Sequence, residues 1–313
     1  MKIVFELPYY SPCVGGIVES VKFAQKLGAH IRFQRRSTFQ IPKDITYTIG
    51  LPDNSFPRCD IAVSYSDNPF MDRLVRLPQI GRKMVYMLSY GMNYHVERHN
   101  ALNHRLTTLC STKKIEDAIT KDGGEVHRIG FALDMEDMQD DGTERKDLLA
   151  IYYHPHENKR YRLAIDVAIR LHGMNFIDNI ISFGSADGWR NNNPFPVMNK
   201  HYRNANRKEV KNIFNQSKVF IMPSISEGLN LTPIEATLCG CPAVICDGAI
   251  GELFIDGETC FVAKHDDNFD VLNNTIELIS NIDECRPLFR DNMRKLINNY
   301  TWDKLITNFN KLL

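Results

Sequence analysis

The sequence PSISEGLNLTPIEATLCGCP, residues 223–242, decides the fold prediction for this chain. The apolar run 219–222 precedes it and predicts a short strand that is buried on both faces. Thr232 and Pro233 then predict a helix start, with the threonine hydroxyl as N-cap and the proline in the first helical position. A strand, a loop and a helix therefore follow one another, which is the repeating unit of a parallel α/β sheet.

Two glutamates, Glu227 and Glu235, lie on either side of this predicted helix start. Glu227 belongs to the loop at the carboxyl end of the strand, where open α/β sheets bind ligands, and Glu235 lies one turn inside the helix. Between them, backbone N–H groups approach the helix N-terminus, whose unpaired donors favour a phosphate. These groups belong to Gly228, Leu229, Asn230 and Leu231. The segment therefore predicts an anion site that needs no metal ion.

A structural explanation competes with this one for Glu235. Thr232 and Glu235 have the spacing of a capping box, in which the glutamate accepts a hydrogen bond from the backbone N–H of the cap residue. Spacing alone does not decide between a cap and a ligand-binding residue there. Glu227 has no such partner in the sequence, so a functional role is favoured for it.

Short β-rich runs alternate with helical stretches along the chain, which predicts two doubly wound α/β domains. In the first half the predicted strands are 2–7, 60–65, 84–90, 106–111 and 125–130, with helices over 17–27 and 113–120. In the second half they are 148–153, 179–184, 218–223, 242–247 and 260–264, with helices over 161–171, 208–217 and 269–279. The acidic, polar segment 134–147 predicts the boundary, so we expect domains at 1–140 and 141–299.

The composition is that of a globular protein whose main partner is not nucleic acid. Its 313 residues are 43% hydrophobic, and 38 Lys and Arg balance 38 Asp and Glu. A net charge of zero does not favour bulk nucleic acid as a partner. The eight cysteines include no C-x-x-C pair and are expected to be reduced core thiols. No signal-peptide pattern or membrane-spanning run is found, so we expect a cytoplasmic protein.

The segment 210–257 resembles retaining glycosyltransferase family 4, whose signature is two glutamates separated by seven residues (E-x7-E). The likeness includes the helix and strand before Glu227, the small-residue helix ending in Cys239-Gly240-Cys241-Pro242, and the loop around Gly251-Glu252. The resemblance implies the GT-B fold, with two Rossmann-like domains that face a central cleft. It also implies a nucleotide diphosphate sugar as donor substrate, with no cofactor and no metal, and transfer with retention of configuration.

The resemblance also implies roles for individual residues. Glu227 would position the sugar hydroxyls, and Glu235 would accept hydrogen bonds from the ribose. The loop before the first helix contains Gly15 and Gly16, two adjacent glycines that allow close backbone approach, and it would face the donor phosphates. Gly184 would help to line the base pocket.

A basic group follows the first predicted strand of the second domain, where the family has an Arg and a Lys that hold the diphosphate. His154 occupies roughly the position of the arginine, and either Lys159 or Arg160 aligns with the lysine. Because a histidine is only partly protonated near neutral pH, His154 would weaken the stabilisation of the leaving group or make it pH-dependent. His154 and His156 lack a third ligand at metal-binding spacing, and the chain has no Asp-x-Asp pair.

On the acceptor side, Tyr90 occupies the neighbourhood of the family's cleft histidine, and His95 follows shortly after it. The acceptor is expected to be a saccharide or a lipid-linked glycan, and GDP-mannose is slightly favoured over UDP-glucose as donor. Basic residues, including Arg32 and Arg35, leave peripheral contact with a membrane open. The oligomeric state, including a homodimer, is open as well. The terminal segment 300–313 is amphipathic, and the resemblance implies that it crosses back to pack on the first domain.

Two other functions are weighed against transfer. A degenerate protein that binds a sugar nucleotide without catalysis would account for the histidine at the arginine position. A Rossmann dehydrogenase would fit the α/β alternation, but no G-x-G-x-x-G follows any predicted strand. The sequence therefore favours the glycosyltransferase over both.

Overall fold

The computed structural model describes residues 1–11, 15–50, 56–65, 71–88, 105–184 and 198–313. The chain divides into two compact units, Met1–Leu133 with Tyr300–Leu313, and Asp134–Asn299. Each unit is a parallel sheet covered by helices, so the prediction of two doubly wound α/β domains is confirmed.

The first unit has seven parallel strands in its described part, in the order β3-β2-β1-β4-β5-β6-β7. The strands are β1 Ile3–Leu7, β2 His30–Phe33, β3 Tyr47–Ile49, β4 Cys59–Tyr65, β5 Ile80–Met87, β6 Thr107–Cys110 and β7 His127–Arg128. The helices are α1 Gly15–Lys26, α2 Met71–Leu74, α3 Lys113–Lys121 and, at the end of the chain, α9 Trp302–Asn310. On one face of the sheet, Phe23 packs edge-on against Phe5, Tyr86 and Phe309, which places α9 in the core of this unit.

The second unit has six parallel strands in its described part, in the order β10-β9-β8-β11-β12-β13. The strands are β8 Leu148–Tyr153, β9 Asn179–Gly184, β10 Met198–Arg203, β11 Val219–Met222, β12 Ala243–Cys246 and β13 Phe261–Ala263. The helices are α4 Tyr161–Gly173, α5 Arg207–Gln216, α6 Leu231–Leu238, α7 Asn268–Ser280 and α8 Ile282–Ile297. Leu149, Ile151, Val219 and Ile221 alternate with Ala150 and Phe220 across the two faces, and all six are buried.

Several elements are absent from the sequence-based prediction. Strands β2 and β3 are short, and β2, β3 and β10 all contain charged or polar residues, so they lack the apolar run that identifies a buried strand. Helix α8 contains Pro287, which normally marks a helix end rather than an interior. It forms nevertheless because Cys285, Phe289 and Met293 are all buried on one face.

Candidate active site at the switch point of the second sheet

The site lies where the strand order of the second sheet reverses. β8 pairs with β11 in the middle of the sheet, while the chain continues from β8 towards β9 and from β11 towards β12. The loops that leave these two strands therefore run in opposite directions from one carboxyl edge, which leaves a crevice suited to a ligand. These loops, 154–160 and 223–230, hold half of the sequence-predicted site residues, among them all three predicted catalytic ones.

Lys159 and Glu227, one from each loop, form an ion pair at this point. The Nζ atom of Lys159 lies 2.5 Å from Oε1 of Glu227, and the two side chains are 21% and 13% exposed. Lys159 ends a single 3₁₀ turn, Glu157–Lys159, and its ammonium lies 5.8 Å from the ring centroid of Tyr152. The structure therefore brings together two of the predicted catalytic residues, in an environment drier than the surface.

Asn158 fastens the two loops to each other. Its side-chain amide donates to the Ser226 carbonyl at 2.5 Å and accepts from the Ser226 N–H at 2.9 Å. Its own carbonyl accepts from the N–H of Ile225 at 2.9 Å. These bonds fix the backbone on both sides of the ion pair. Sequence reasoning missed Asn158, because an asparagine in a polar loop gives no pattern that distinguishes it from a solvated one.

Arg160, the second candidate for the basic role, is engaged elsewhere. Its backbone is left-handed, with a φ of 47°, and this turn leads directly into α4. Its guanidinium donates to the His265 carbonyl and, at 2.5 Å, to Oδ1 of Asn268 at the start of α7. The structure therefore pairs Glu227 with Lys159 and ties Arg160 to the loop after β13.

A third loop, after β12, supports the loop that carries Glu227. A Cβ atom on Gly248 would lie 1.9 Å from the Ile225 carbonyl oxygen, so only glycine fits there. Oδ1 of Asp247 accepts from the N–H groups of Gly248 and His265 and lies 2.6 Å from Nδ1 of His265. Burial opposes ionisation of Asp247, but the hydrogen bonds from His265 and Gly248 outweigh it and lower the pKa of the carboxyl.

His154 follows β8 directly. Burial lowers its pKa, and the neighbouring Lys159 and His156 lower it further, whereas Glu227 acts in the opposite direction. Its Nδ1 accepts from the His156 N–H at 3.1 Å, which suits a neutral ring. The side chain is therefore predominantly uncharged at neutral pH, unlike the arginine that the family resemblance implies there.

Helix α6 begins earlier than the sequence indicates. It spans Leu231–Leu238, and Asn230 is its N-cap in a left-handed conformation with a φ of 59°. The prediction of Thr232 as N-cap is therefore wrong, and with it the capping box that needed Thr232 in that position. Asparagine tolerates the left-handed conformation better than most residues, and Pro233 fits in the first turn because no N–H is needed there.

Glu235 is held by an arginine that the sequence did not indicate. Its Oε1 lies 2.8 Å from Nη1 of Arg207, at the start of α5, and its side chain is 15% exposed. Arg207 also forms an ion pair with Asp137, in which Nε lies 2.6 Å from Oδ2. The carboxylate of Glu235 is thus oriented by side chains that are distant in sequence.

The remaining predicted residues are distributed over both units. Gly184 ends β9 opposite Tyr153, and its φ of 147° and a Cβ position 1.9 Å from the Tyr153 carbonyl oxygen both require glycine. Gly228 is buried and Leu229 half-buried in the loop before α6. Gly15 and Gly16 begin α1 of the first unit. Tyr90 and His95 lie outside the described residues.

The predicted basic surface of the first unit is smaller than the sequence indicated. Arg32 is 1% exposed, and its Nη1 lies 2.6 Å from Oε1 of Glu6. Because it is buried and paired, Arg32 cannot face a membrane, and that part of the prediction is wrong. Within the described ranges, no helix is long and apolar enough to cross a bilayer, and no three metal-ligating side chains are grouped together.

Comparison with known proteins shows which sequences and folds this chain resembles. Residues 191–281, which contain the Glu227 loop and α6, match the sequence model described as glycosyl transferases group 1. The structure is similar to that of HepE from Anabaena in complex with UDP, with a TM-score of 0.76 over 100% of this chain and 99% of that one. Because the two sequences are only 13% identical, this similarity supports a shared fold and not a shared function. The chain has the GT-B fold, as predicted.

Two relatives match by sequence over part of their length. Uncharacterized glycosyltransferase MJ1178 of Methanocaldococcus jannaschii is 27% identical over 105 residues, which are 33% of this chain and 30% of that protein. UDP-Gal:alpha-D-GlcNAc-diphosphoundecaprenol alpha-1,3-galactosyltransferase of Escherichia coli is 28% identical over 104 residues, 33% of this chain and 24% of that enzyme. The matches thus span less than a third of either relative.

Proposed function

We propose that the protein is a metal-independent glycosyltransferase that moves a hexose from a nucleotide diphosphate sugar to an acceptor hydroxyl with retention of configuration. The observation that carries this proposal is the Lys159–Glu227 pair at the switch point of the second sheet. Such a point is where α/β sheets bind nucleotides, and the pair offers one group for phosphate and one for sugar hydroxyls.

In the reaction, the bond between the anomeric carbon and the diphosphate oxygen breaks, and the electron pair leaves with the diphosphate. The acceptor hydroxyl attacks the same face of the oxocarbenium-like sugar, and its proton passes to the leaving phosphate. No side chain is needed as a strong base. Lys159, together with backbone N–H groups at the start of α6, neutralises the charge that develops on the leaving group. One preorganised donor of this kind contributes about 3 kcal/mol to catalysis.

The other predicted residues support binding. Glu227 holds sugar hydroxyls, Glu235 accepts from the ribose, and Gly228, Leu229, Asn230 and Leu231 surround the diphosphate. Gly184, as well as Gly15 and Gly16 of the first unit, are assigned to donor binding on the family resemblance. Arg160 supports the loop after β13 rather than the phosphate, which its contacts with His265 and Asn268 favour. Assignment to family 4 and its E-x7-E motif belongs to the same proposal.

The donor base is the least constrained part of this proposal. HepE is described in complex with UDP, and the Escherichia coli relative is named for UDP-Gal, so UDP-sugars are tested first. GDP-mannose, which the sequence slightly favoured, is tested beside them. The name of the same relative contains a diphosphoundecaprenol-linked acceptor, which supports a lipid-linked saccharide as the acceptor class.

A second function, binding of a sugar nucleotide without transfer, is favoured by one observation. His154 is neutral at the position where the family resemblance implies a permanently charged arginine. A site that lacks this charge would bind the donor yet give the leaving diphosphate less stabilisation.

Release of nucleoside diphosphate from UDP-glucose, UDP-galactose and GDP-mannose separates these two functions. The assay is run in the presence of EDTA, with undecaprenyl diphosphate-linked GlcNAc or water as acceptor. Transfer predicts release that persists in EDTA, falls in Lys159→Ala, and gives an α-anomer by proton NMR from an α-linked donor. Donor binding without release would establish the non-catalytic function, and an inverted product would contradict retention.

A further inference from the structure

Arg207, the first residue of α5, donates hydrogen bonds to Glu235 and to two residues of the segment 134–137. Its Nη1 donates to Glu235 Oε1 at 2.8 Å, and its Nη2 donates to the Asp134 carbonyl at 2.7 Å. Nε and Nη2 together form a bidentate pair with the two carboxylate oxygens of Asp137, at 2.6 and 2.7 Å. A guanidinium with two parallel bonds to one carboxylate has a fixed plane, so the direction of its remaining N–H groups is fixed as well.

Stabilisation of its own helix does not explain this arginine. Helix α5 is already capped, because Asn206 and Glu209 form a reciprocal capping box with bonds of 3.0 and 2.8 Å. A cation in the first turn of a helix is opposed by the helix dipole, so Arg207 is unfavourable there on local grounds. Burial lowers its pKa, but Asp137 and Glu235 outweigh burial and raise it, so the carboxylates favour the cation.

Glu235 needs such a partner if it is to hold a ribose. Glutamate has three rotatable side-chain bonds, and fixing them costs conformational free energy on binding unless the side chain is already held. Its side chain is 15% exposed and lies in the second turn of α6. Arg207 holds Oε1 from one side and thereby limits the directions in which the carboxylate accepts.

We infer that Arg207 is a positioning residue for nucleotide binding, which holds Glu235 in the orientation that accepts the ribose hydroxyls and is itself fixed by Asp137. This inference rests on the proposed function, because it requires Glu235 to contact ribose. It adds a specificity determinant to the site. Arg207 does not touch the nucleotide but sets how strongly ribose is preferred over deoxyribose.

The test is calorimetric titration with UDP and GDP and with their 2′-deoxy and 3′-deoxy analogues. We expect the wild-type protein to prefer a ribonucleotide over one deoxy analogue by about tenfold, the effect of one charge-assisted hydrogen bond. Glu235→Ala and Arg207→Gln should each reduce this preference towards unity, and the double variant should lose no more than either single one. Arg207→Lys keeps the charge without the planar fork, and should give an intermediate preference.

Lys208→Ala is the matched control, since it removes an exposed cation from the next position of the same helix. It should leave the ribose preference unchanged, and circular dichroism checks that each variant is folded. If Arg207→Gln does not fold, the ribose preference of Arg207→Lys is compared with that of the wild type instead.

The outcomes separate the inference from the proposed function. A wild-type preference that Glu235→Ala abolishes and both Arg207 variants retain would overturn the inference and leave the proposed function standing. Absence of any nucleotide binding by the wild-type protein would instead remove the proposed function, and the inference with it.

Discussion

The ammonium of Lys159 lies 2.5 Å from the carboxylate of Glu227, although the two residues are 68 positions apart in the chain. Each residue ends up there for a local reason, since Lys159 closes a 3₁₀ turn after β8 and Glu227 follows β11 in a loop held by Asn158. A partly buried pair of this kind holds a positive charge in place before a ligand arrives. Such preorganisation is what stabilisation of a leaving diphosphate requires.

Replacement of Lys159 by alanine tests this role. Because one preorganised donor to a developing negative charge is removed, we expect turnover to fall by about 100-fold. Lys295→Ala, which removes an exposed lysine on α8, should leave turnover unchanged. Steady-state release of nucleoside diphosphate measures both variants. Turnover of Lys159→Ala within about twofold of the wild type would show that the leaving group is stabilised elsewhere.

Arg160→Ala distinguishes the two neighbouring cations. Since the Arg160 guanidinium holds His265 and Asn268 rather than Glu227, we expect less than about a tenfold loss of turnover. The midpoint of thermal unfolding should fall instead, because the loop before α7 loses two hydrogen bonds. A loss of turnover equal to that of Lys159→Ala, with unchanged unfolding, would assign the phosphate to Arg160.

Gly248→Ala should disturb the loop that carries Glu227. The new Cβ atom would lie 1.9 Å from the Ile225 carbonyl oxygen, and that backbone must move to admit it. We expect destabilisation of about 2 kcal/mol, typical of an added methyl group that forces the backbone to shift, together with weaker donor binding.

Gly173→Ala is the control for this change, since nothing lies within 4 Å of its Cβ position at the end of α4. It should be neutral or stabilise by up to about 1 kcal/mol. Urea titration measures both variants. Equal midpoints for Gly248→Ala and Gly173→Ala would contradict the close approach of the two loops.

His154 should make stability depend on pH in one direction. Its pKa in the folded protein is lowered from the usual 6.5 by burial, then by Lys159 and His156. Below about pH 6.5 the unfolded chain therefore binds a proton that the folded protein resists, and stability falls as the pH falls. Above that value both states are neutral at this residue and its contribution is constant.

Urea titrations of the wild type and His154→Gln between about pH 7.5 and pH 5.5 measure this effect. The variant should show a smaller loss of stability on acidification. A loss remains in the variant, because burial also lowers the pKa of His201 and His30. Identical pH slopes for the two proteins would contradict a lowered pKa for His154.

The sequence was sufficient for the fold and for the strands at its centre. β8 and β9 match the predicted limits because β8 is a continuous apolar run and β9 contains three large apolar residues and ends at Gly184. The edge strands β3 and β10 could not be found, because partly exposed strands lack that pattern. Helix α8 was hidden by Pro287, whose effect is overridden by tertiary packing.

The candidate site was predictable as a set of loops but not as a network of contacts. Glu227 and Lys159 were named from motif and resemblance, whereas their direct pairing depends on the order of strands in the sheet. The sequence did not indicate three residues whose contacts in the site are with residues at least 23 positions away: Arg207, Asn158 and Gly248. The contact of Gly248 with Ile225 is an example. Periodicity and capping rules describe neighbours in sequence and carry no information about such pairs.

The central claim is tested most directly by calorimetric titration of the wild-type protein with UDP-, GDP- and ADP-sugars, repeated with Glu227→Ala and Glu235→Ala. Circular dichroism first establishes that both variants are folded. The account predicts that one donor binds selectively and that each substitution weakens it by about tenfold or more. Absence of binding by every donor, or affinities that neither substitution changes, would contradict a nucleotide-sugar site at the switch point of the second sheet.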